Sequence, residues 1–286
     1  MRVPNNKLSA VRSFFYSTLR SVYPEGETEA LFLTAAGHYL GQSRTQLLRD
    51  PDQNLNQSDL LLLYDCAKAL GRHEPLQYIL GTAWFSGMKL SVNPGVLIPR
   101  PETEELVSVV LKTAAADALS ALDAATGSGC IALALKKHRR NLKVSGCDVS
   151  DEALRVARTN TLIQDLDVSF FNCDLLTGKL PAEYDVIVSN PPYITRAEAA
   201  DMHPNVLAFE PAIALFAPDD DPLIFYKKIA DLCSDHLRKN GMLFLELNPL
   251  TAHGVLDYAG RSGIFKEAAI LRDISGKDRF FQAKRA

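Results

Sequence analysis

A chain of 286 residues, 47% hydrophobic and 23% charged, has ordinary globular composition, which excludes a disordered or fibrous protein. At roughly 150 residues per domain, this length suits one large domain or two unequal ones. With 31 basic and 34 acidic residues the net charge is −3, which excludes binding by bulk attraction to phosphate and leaves room only for a local basic patch. Cys66, Cys130, Cys147, Cys173 and Cys233 are odd in number and form no CxxC pair. Reduced thiols in an intracellular compartment are therefore a simpler reading than a disulfide framework or structural zinc. Residues 1–15 lack the apolar run of a signal peptide, and no segment approaches the roughly 20 apolar residues that span a bilayer. The expectation is a cytoplasmic protein without membrane contact.

Along the chain, Leu8, Val11, Phe14, Phe15, Thr18, Leu19 and Val22 recur at helical spacing until Pro24 and Gly26 break the run. A second helix is predicted over 27–40, stopped by Gly41, then a helical turn over 43–49 and a helix over 58–70 ended by Gly71. This bundle carries no chemical signature and reads as a docking or packing module. Residues 81–98 change character: Trp84-Phe85, a Ser86-Gly87 turn, then Leu90 and Val92 predict a β-hairpin, followed by an Asn93-Pro94-Gly95 turn. The expected organisation is a helical domain over 1–80, a hairpin linker over 81–100 and a larger domain over 101–286.

In that larger domain, apolar runs at 118–124, 142–147, 168–172, 186–189 and 242–247 read as strands. Helical patterns at 130–138 and 152–163 separate the first three, a loop precedes the fourth, and a helix over 222–238 precedes the fifth. Such alternation predicts an α/β domain, a Rossmann-like parallel sheet with helices on both faces. Segments 265–272 and 279–284 flank a Ser275-Gly276-Lys277-Asp278 turn and read as a terminal antiparallel hairpin.

The first chemical motif is Asp123-Ala124-Ala125-Thr126-Gly127-Ser128-Gly129, at the junction of a strand and a helix. Its glycines let backbone approach a ligand, and the helix start offers free N–H groups. Asp148, at the end of the next strand, suits a ribose diol. Gly127-x-Gly129-x-x-Ala132 also fits a dinucleotide fingerprint. Asp123, however, would repel a pyrophosphate and attract an ammonium, and S-adenosylmethionine combines an ammonium with a ribose.

The second motif is Asn190-Pro191-Pro192-Tyr193, directly after the apolar strand ending at Ser189. Two prolines fix the dihedrals and remove donors, so the loop presents acceptors: the Asn190 side-chain oxygen and the Pro191 carbonyl. Tyr193 adds a flat face for stacking. Two acceptors match a planar NH₂ and stabilise the positive charge that grows on a delocalised nitrogen as it attacks a methyl sulfonium. That chemistry requires no metal and no strong general base.

Together these motifs resemble class I S-adenosylmethionine-dependent methyltransferases acting on a planar NH₂. Glu74-Pro75-Leu76-Gln77-Tyr78-Ile79-Leu80-Gly81, followed by Leu97-Ile98-Pro99-Arg100-Pro101-Glu102-Thr103-Glu104, resembles the family of peptide chain release factor glutamine methyltransferases. The resemblance implies that residues from Ala125 to Gly129, including Thr126, Gly127 and Ser128, lie against the methionine part of S-adenosylmethionine. It puts Asp148 at the ribose, Asp174 and Leu175 at the adenine, and Asn190, Pro191, Pro192 and Tyr193 at the substrate glutamine. The implied substrate is the glutamine of a Gly-Gly-Gln loop in class 1 release factors, and the implied co-product is S-adenosylhomocysteine.

Two positions depart from the family pattern. Ala125 stands where a glycine is usual; a positive φ there would cost roughly 1 kcal/mol or more. The fifth strand ends Glu246-Leu247-Asn248-Pro249 rather than Glu-x-Gly. The NPPY loop is shared with methyltransferases of adenine's exocyclic amine, so a nucleic-acid substrate is the competing reading, although no direct nucleic-acid partner is expected. A ribosomal-protein glutamine, a cofactor-binding scaffold without turnover and a dehydrogenase rank lower. Arg100, Glu102 and Glu104 could serve salt bridges or substrate; the acidic run 219–221 reads as a helix cap.

Overall fold

The computed structural model describes residues 5–218 and 221–286. The chain divides into two compact units, one reaching Gly81 and including His203–Phe209, the other formed by Thr82–Met202 and Glu210–Ala286.

The first unit is helical: α1 (Leu8–Leu19), α2 (Glu25–Leu40), α3 (Arg44–Arg49), α4 (Gln57–Leu70) and α5 (Leu76–Leu80). Val11, Phe15 and Leu19 on α1 meet Phe32 on α2 and Leu63 and Leu70 on α4 in a closed apolar core. Phe14 stacks on Tyr64 at 4.2 Å, and Phe15 meets Phe32 edge-on at 5.3 Å. Ser43 starts α3 with a capping box closed by Gln46, and Asn56 caps α4 through Asp59 N–H. Helix α1 ends before Pro24 as expected, but α2 starts at Glu25 rather than at 27, so Gly26 falls inside it. The glycine lies in the first turn, where N–H groups have no intrahelical partner, and Glu25 and Glu27 beside it favour the positive end of the helix dipole. Helix α5 has only five residues, too few to show a period.

The second unit opens with the predicted hairpin, β1 (Thr82–Phe85) and β2 (Met88–Ser91). Ser86 and Gly87 have φ of +48° and +68°, as a tight two-residue turn requires. The hairpin is bound into this unit rather than free. Asn160 exchanges hydrogen bonds with the Ser91 backbone, Lys137 donates to the carbonyls of Ser86 and Gly87, and Glu104 accepts from Ser86 N–H.

There follow α6 (Pro101–Thr113), β3 (Ser120–Ala124), α7 (Cys130–His138), β4 (Lys143–Asp148), α8 (Asp151–Gln164), β5 (Val168–Asn172) and β6 (Tyr184–Ser189). After a 3₁₀ turn (Arg196–Asp201) come α9 (Pro204–Phe209, in the helical unit), α10 (Ala212–Leu215), α11 (Ile224–His236), β7 (Leu237–Glu246), α12 (Ala252–Ser262), β8 (Phe265–Arg272) and β9 (Asp278–Arg285). Among the described residues, seven strands form one sheet in the order β5-β4-β3-β6-β7-β9-β8, parallel as far as β7 and antiparallel at β9 and β8. Two apolar clusters cover it, one from α6 and α7, the other from α11 and α12.

Helices α6 and α12 were not anticipated, although Pro101 at the first helical position with Glu102 and Glu104 behind it is a recognisable start. Strand β7 begins five residues before its apolar run. Its first turn of sequence, Arg238-Lys239-Asn240, is exposed, and Asn240 has φ of +64°. Of the acidic run expected to cap α11, Asp219 and Asp220 lie outside the described residues. Asp221 accepts from Leu223 N–H at 3.1 Å and pairs with Lys227 at 2.8 Å.

Candidate active site

The chain runs outward from β3 through β4 to β5, then returns to the other side of β3 as β6. Ligands of open α/β sheets bind at such a reversal, beyond the carboxyl ends of the strands. Here the paired ends Ala124 and Ser189 launch the two motifs side by side, and the Ser189 hydroxyl donates to the Ala124 carbonyl at 2.6 Å, joining their bases.

A cleft opens there, beyond the carboxyl ends of β3, β4 and β6. Ala125, Thr126, Gly127, Ser128, Asp148, Asp174, Leu175, Asn190 and Pro192 all wall it. Asp123, Gly129, Pro191 and Tyr193 stand outside the wall. Asp123 is fully buried beneath the loop, where one carboxylate oxygen accepts from the Thr126 hydroxyl at 2.5 Å and from Ala132 N–H at 3.1 Å. Its other oxygen has no hydrogen-bond partner among the described residues. Burial pushes its pKa up to about 7. It holds the loop from below rather than meeting a ligand. Tyr193, half-buried, packs among the residues under α11 and α12 and donates its hydroxyl to Glu246 at 3.1 Å.

The glycine loop is built on left-handed backbone. Ala125, Gly127 and Gly129 have φ of +58°, +54° and +81°. The positive value at Ala125 incurs the strain foreseen for a side chain there. At Gly129 a Cβ would press within 3.1 Å of Ala157 and Phe170, so glycine packs the loop down; at Gly127 a Cβ would meet nothing within 4 Å, because that side faces the cleft. Asp148 receives Gly127 N–H at 2.9 Å and Ser150 N–H at 3.0 Å. Burial raises its pKa, while the two amides pull the other way.

Several further residues wall or support the cleft. Val149, 48% exposed, offers apolar surface next to Asp148. Arg100 lines the cleft and pairs with the buried Glu210, which also accepts from Ile98 N–H at 3.1 Å. Arg100 and Glu104 thus both make structural contacts. Thr103, 2% exposed, reaches the cleft from the first turn of α6 and accepts from Asn190 Nδ2 at 3.1 Å. The Thr103 hydroxyl in turn donates to buried Glu246 at 2.7 Å. Asn248 fills its unusual place by donating to the Tyr193 carbonyl at 3.3 Å and to Glu198 at 2.9 Å, which anchors the loop after Asn190. Cys130 borders the cleft, but burial pushes its thiol up to about 12, so it is no nucleophile at neutral pH.

The sheet order, its antiparallel edge and the cleft at the reversal define a class I S-adenosylmethionine-dependent methyltransferase. The solved catalytic domain of hMettl16 shares this fold with a TM-score of 0.55 at 14% identity, covering 84% of this chain and 85% of its own. A methyltransferase from Pyrococcus furiosus does so at 0.51 and 17%, covering 70% and 89%. Residues 102–208 match the family described as Methyltransferase small domain, and residues 11–81 match the PrmC N-terminal domain. The release factor glutamine methyltransferase of Flavobacterium psychrophilum is 38% identical over 95% of this chain and 96% of its own length. That of Bacteroides thetaiotaomicron is 39% identical over 97% and 100%. The chain belongs to the release factor glutamine methyltransferase family.

The cleft fits S-adenosylmethionine: the space left open at Gly127, the Asp148 carboxylate and the apolar Val149 and Leu175 supply what its methionine, ribose and adenine parts require. No helix of the described residues is long and apolar enough to cross a membrane.

Proposed function

We propose that this chain methylates the side-chain amide nitrogen of the glutamine in the Gly-Gly-Gln loop of class 1 release factors, in the cytoplasm. The observation that carries the reading is the position of Asn190 in the wall of the cleft that also holds the glycine loop and Asp148. A carboxamide recogniser therefore stands in the same cavity as the cofactor-binding groups.

Residues 125–129 would hold the methionine part of S-adenosylmethionine, Asp148 its ribose, and Asp174 and Leu175 its adenine; the cofactor would supply an electrophilic methyl group. Asn190 Oδ1 accepts a hydrogen of the target NH₂. That contact would orient the nitrogen toward the methyl group and stabilise the charge that develops on it. Pro192 keeps the loop stiff, and Tyr193 fixes the loop from behind. Bound there, the cofactor would give up its methyl group to the nitrogen with the S–C electron pair left on sulfur, and the methylated nitrogen would lose a proton to water. The helical unit helps to dock the protein substrate.

The test is transfer of a labelled methyl group to a release factor carrying either Gln or Ala in its Gly-Gly-Gln loop. Label on the Gln protein alone is the expected result. Equal labelling of both, or label on DNA or RNA instead, would overturn the substrate assignment.

A further inference from the structure

The amide of Asn190 is nearly symmetric in shape, yet only one orientation serves the reaction. With Oδ1 toward the substrate it accepts an N–H; turned over, it would set NH₂ against NH₂. Asn190 is half-buried and opens on the cleft, so the cleft alone does not select the orientation. The selection comes from behind. Glu246, at the end of β7 and 2% exposed, accepts from Thr103 at one carboxylate oxygen and from Tyr193 at the other. Burial raises the Glu246 pKa, while the Thr103 and Tyr193 hydroxyls and Arg279 favour the charged form; as a carboxylate it has no hydrogen to give, so the single Thr103 hydroxyl hydrogen is spent on Glu246. Thr103 then offers only lone pairs, and Asn190 must face it with Nδ2 at 3.1 Å. No hydrogen bond from another described residue reaches Oδ1, which is left for the cleft.

We infer that Thr103 and Glu246 are positioning residues that set the polarity of Asn190: Glu246 fixes the direction of the Thr103 hydroxyl, and Thr103 fixes which end of the amide meets the substrate. The inference rests on the reading of Asn190 given above and extends it to two residues behind that amide, Thr103 at the edge of the cleft and Glu246 buried beneath it. It also explains why the fifth parallel strand ends in an acid and why α6 begins beside it. Three elements far apart in sequence, α6, β6 and β7, each contribute one link to the chain. The links are short and largely closed to water, so a change at one end is transmitted as a change in hydrogen-bond direction.

Thr103→Val keeps the shape and removes the hydroxyl; Thr103→Ser keeps the hydroxyl. The measurements are steady-state methyl transfer to a release factor and calorimetric binding of S-adenosylhomocysteine. Thr103→Val is expected to lower kcat by about 10²-fold, the scale on which one fixed dipole acts on a developing charge, with cofactor Kd within about threefold of wild type. Thr103→Ser is expected to recover most of that loss. Glu246→Gln, which can turn an NH₂ toward Thr103 and so release its hydroxyl hydrogen toward Asn190, is expected to lower kcat by a similar factor. It decides the matter should Thr103→Val fail to bind cofactor. Undiminished kcat in Thr103→Val or Glu246→Gln, equal losses in the valine and serine variants, or a loss confined to KM would overturn the inference. An inactive wild-type enzyme would instead overturn the substrate assignment.

Discussion

At the scale of single residues, the site is held by groups whose surroundings differ sharply from water. Asp123 is the clearest case. Its carboxyl binds a proton more tightly folded than unfolded, being pushed from the usual carboxylate range up to about 7 by burial. Its contribution to stability is therefore fully present below the unfolded pKa of about 4 and is lost as pH rises through about 7. Asp123→Asn keeps an oxygen for Thr126 and Ala132 and sets an amide in place of the unpartnered oxygen. Urea denaturation between pH 4 and 8 should show a shallower fall in stability for the variant than for wild type; parallel curves would contradict the account. Ala125 is the second case. Its φ of +58° is a conformation glycine adopts without penalty. Ala125→Gly should leave stability unchanged or raise it by up to about 1 kcal/mol. It should also tighten cofactor binding modestly, read by denaturation and calorimetry on the same variant; a clear destabilisation would contradict the assigned strain.

At the scale of elements, buried polar side chains join pieces of the α/β unit that apolar packing alone would leave free to slide. Asn160 on α8 is the main tie. It accepts from Ser91 N–H at 2.6 Å and donates to the carbonyls of Ser91 and Ser128, so one buried amide links the hairpin to the glycine loop. Asn160→Ala leaves those groups without partners, at about 1–3 kcal/mol for each that water does not reach. The expected outcome is a fall in stability of about 2–4 kcal/mol together with weaker cofactor binding, since Ser128 loses its support. Loss of stability with unchanged affinity would show that the loop holds its shape alone. Much at this scale was legible in the sequence: α7, β5 and β8 fall where the pattern put them, and β9 is longer than expected by one residue at each end. What escaped notice were α6 and α12, whose starts and apolar spacings went unread, and α3-sized pieces such as α5, α9 and α10, which are shorter than two turns.

At the scale of the whole molecule, each unit closes its own apolar core, and the cleft belongs to the α/β unit. Its identity could be read ahead of the structure because glycine loops and prolyl loops declare themselves locally. Thr103, Glu246 and Glu210 could not be read, because each gains its role from a partner dozens of residues away: 87 positions separate Thr103 from Asn190, and 143 separate it from Glu246. A weak net charge of −3 accords with a protein substrate. Labelled-methyl assays with DNA and RNA are expected to give no incorporation.

The central claim is that the oxygen of Asn190 receives the target amide. Asn190→Ala tests it most directly, with single-turnover methyl transfer to a release factor measured beside calorimetric cofactor binding. Transfer should fall by at least about 10²–10³-fold while S-adenosylhomocysteine binds within a few-fold of wild type. Turnover at the wild-type rate would contradict the account.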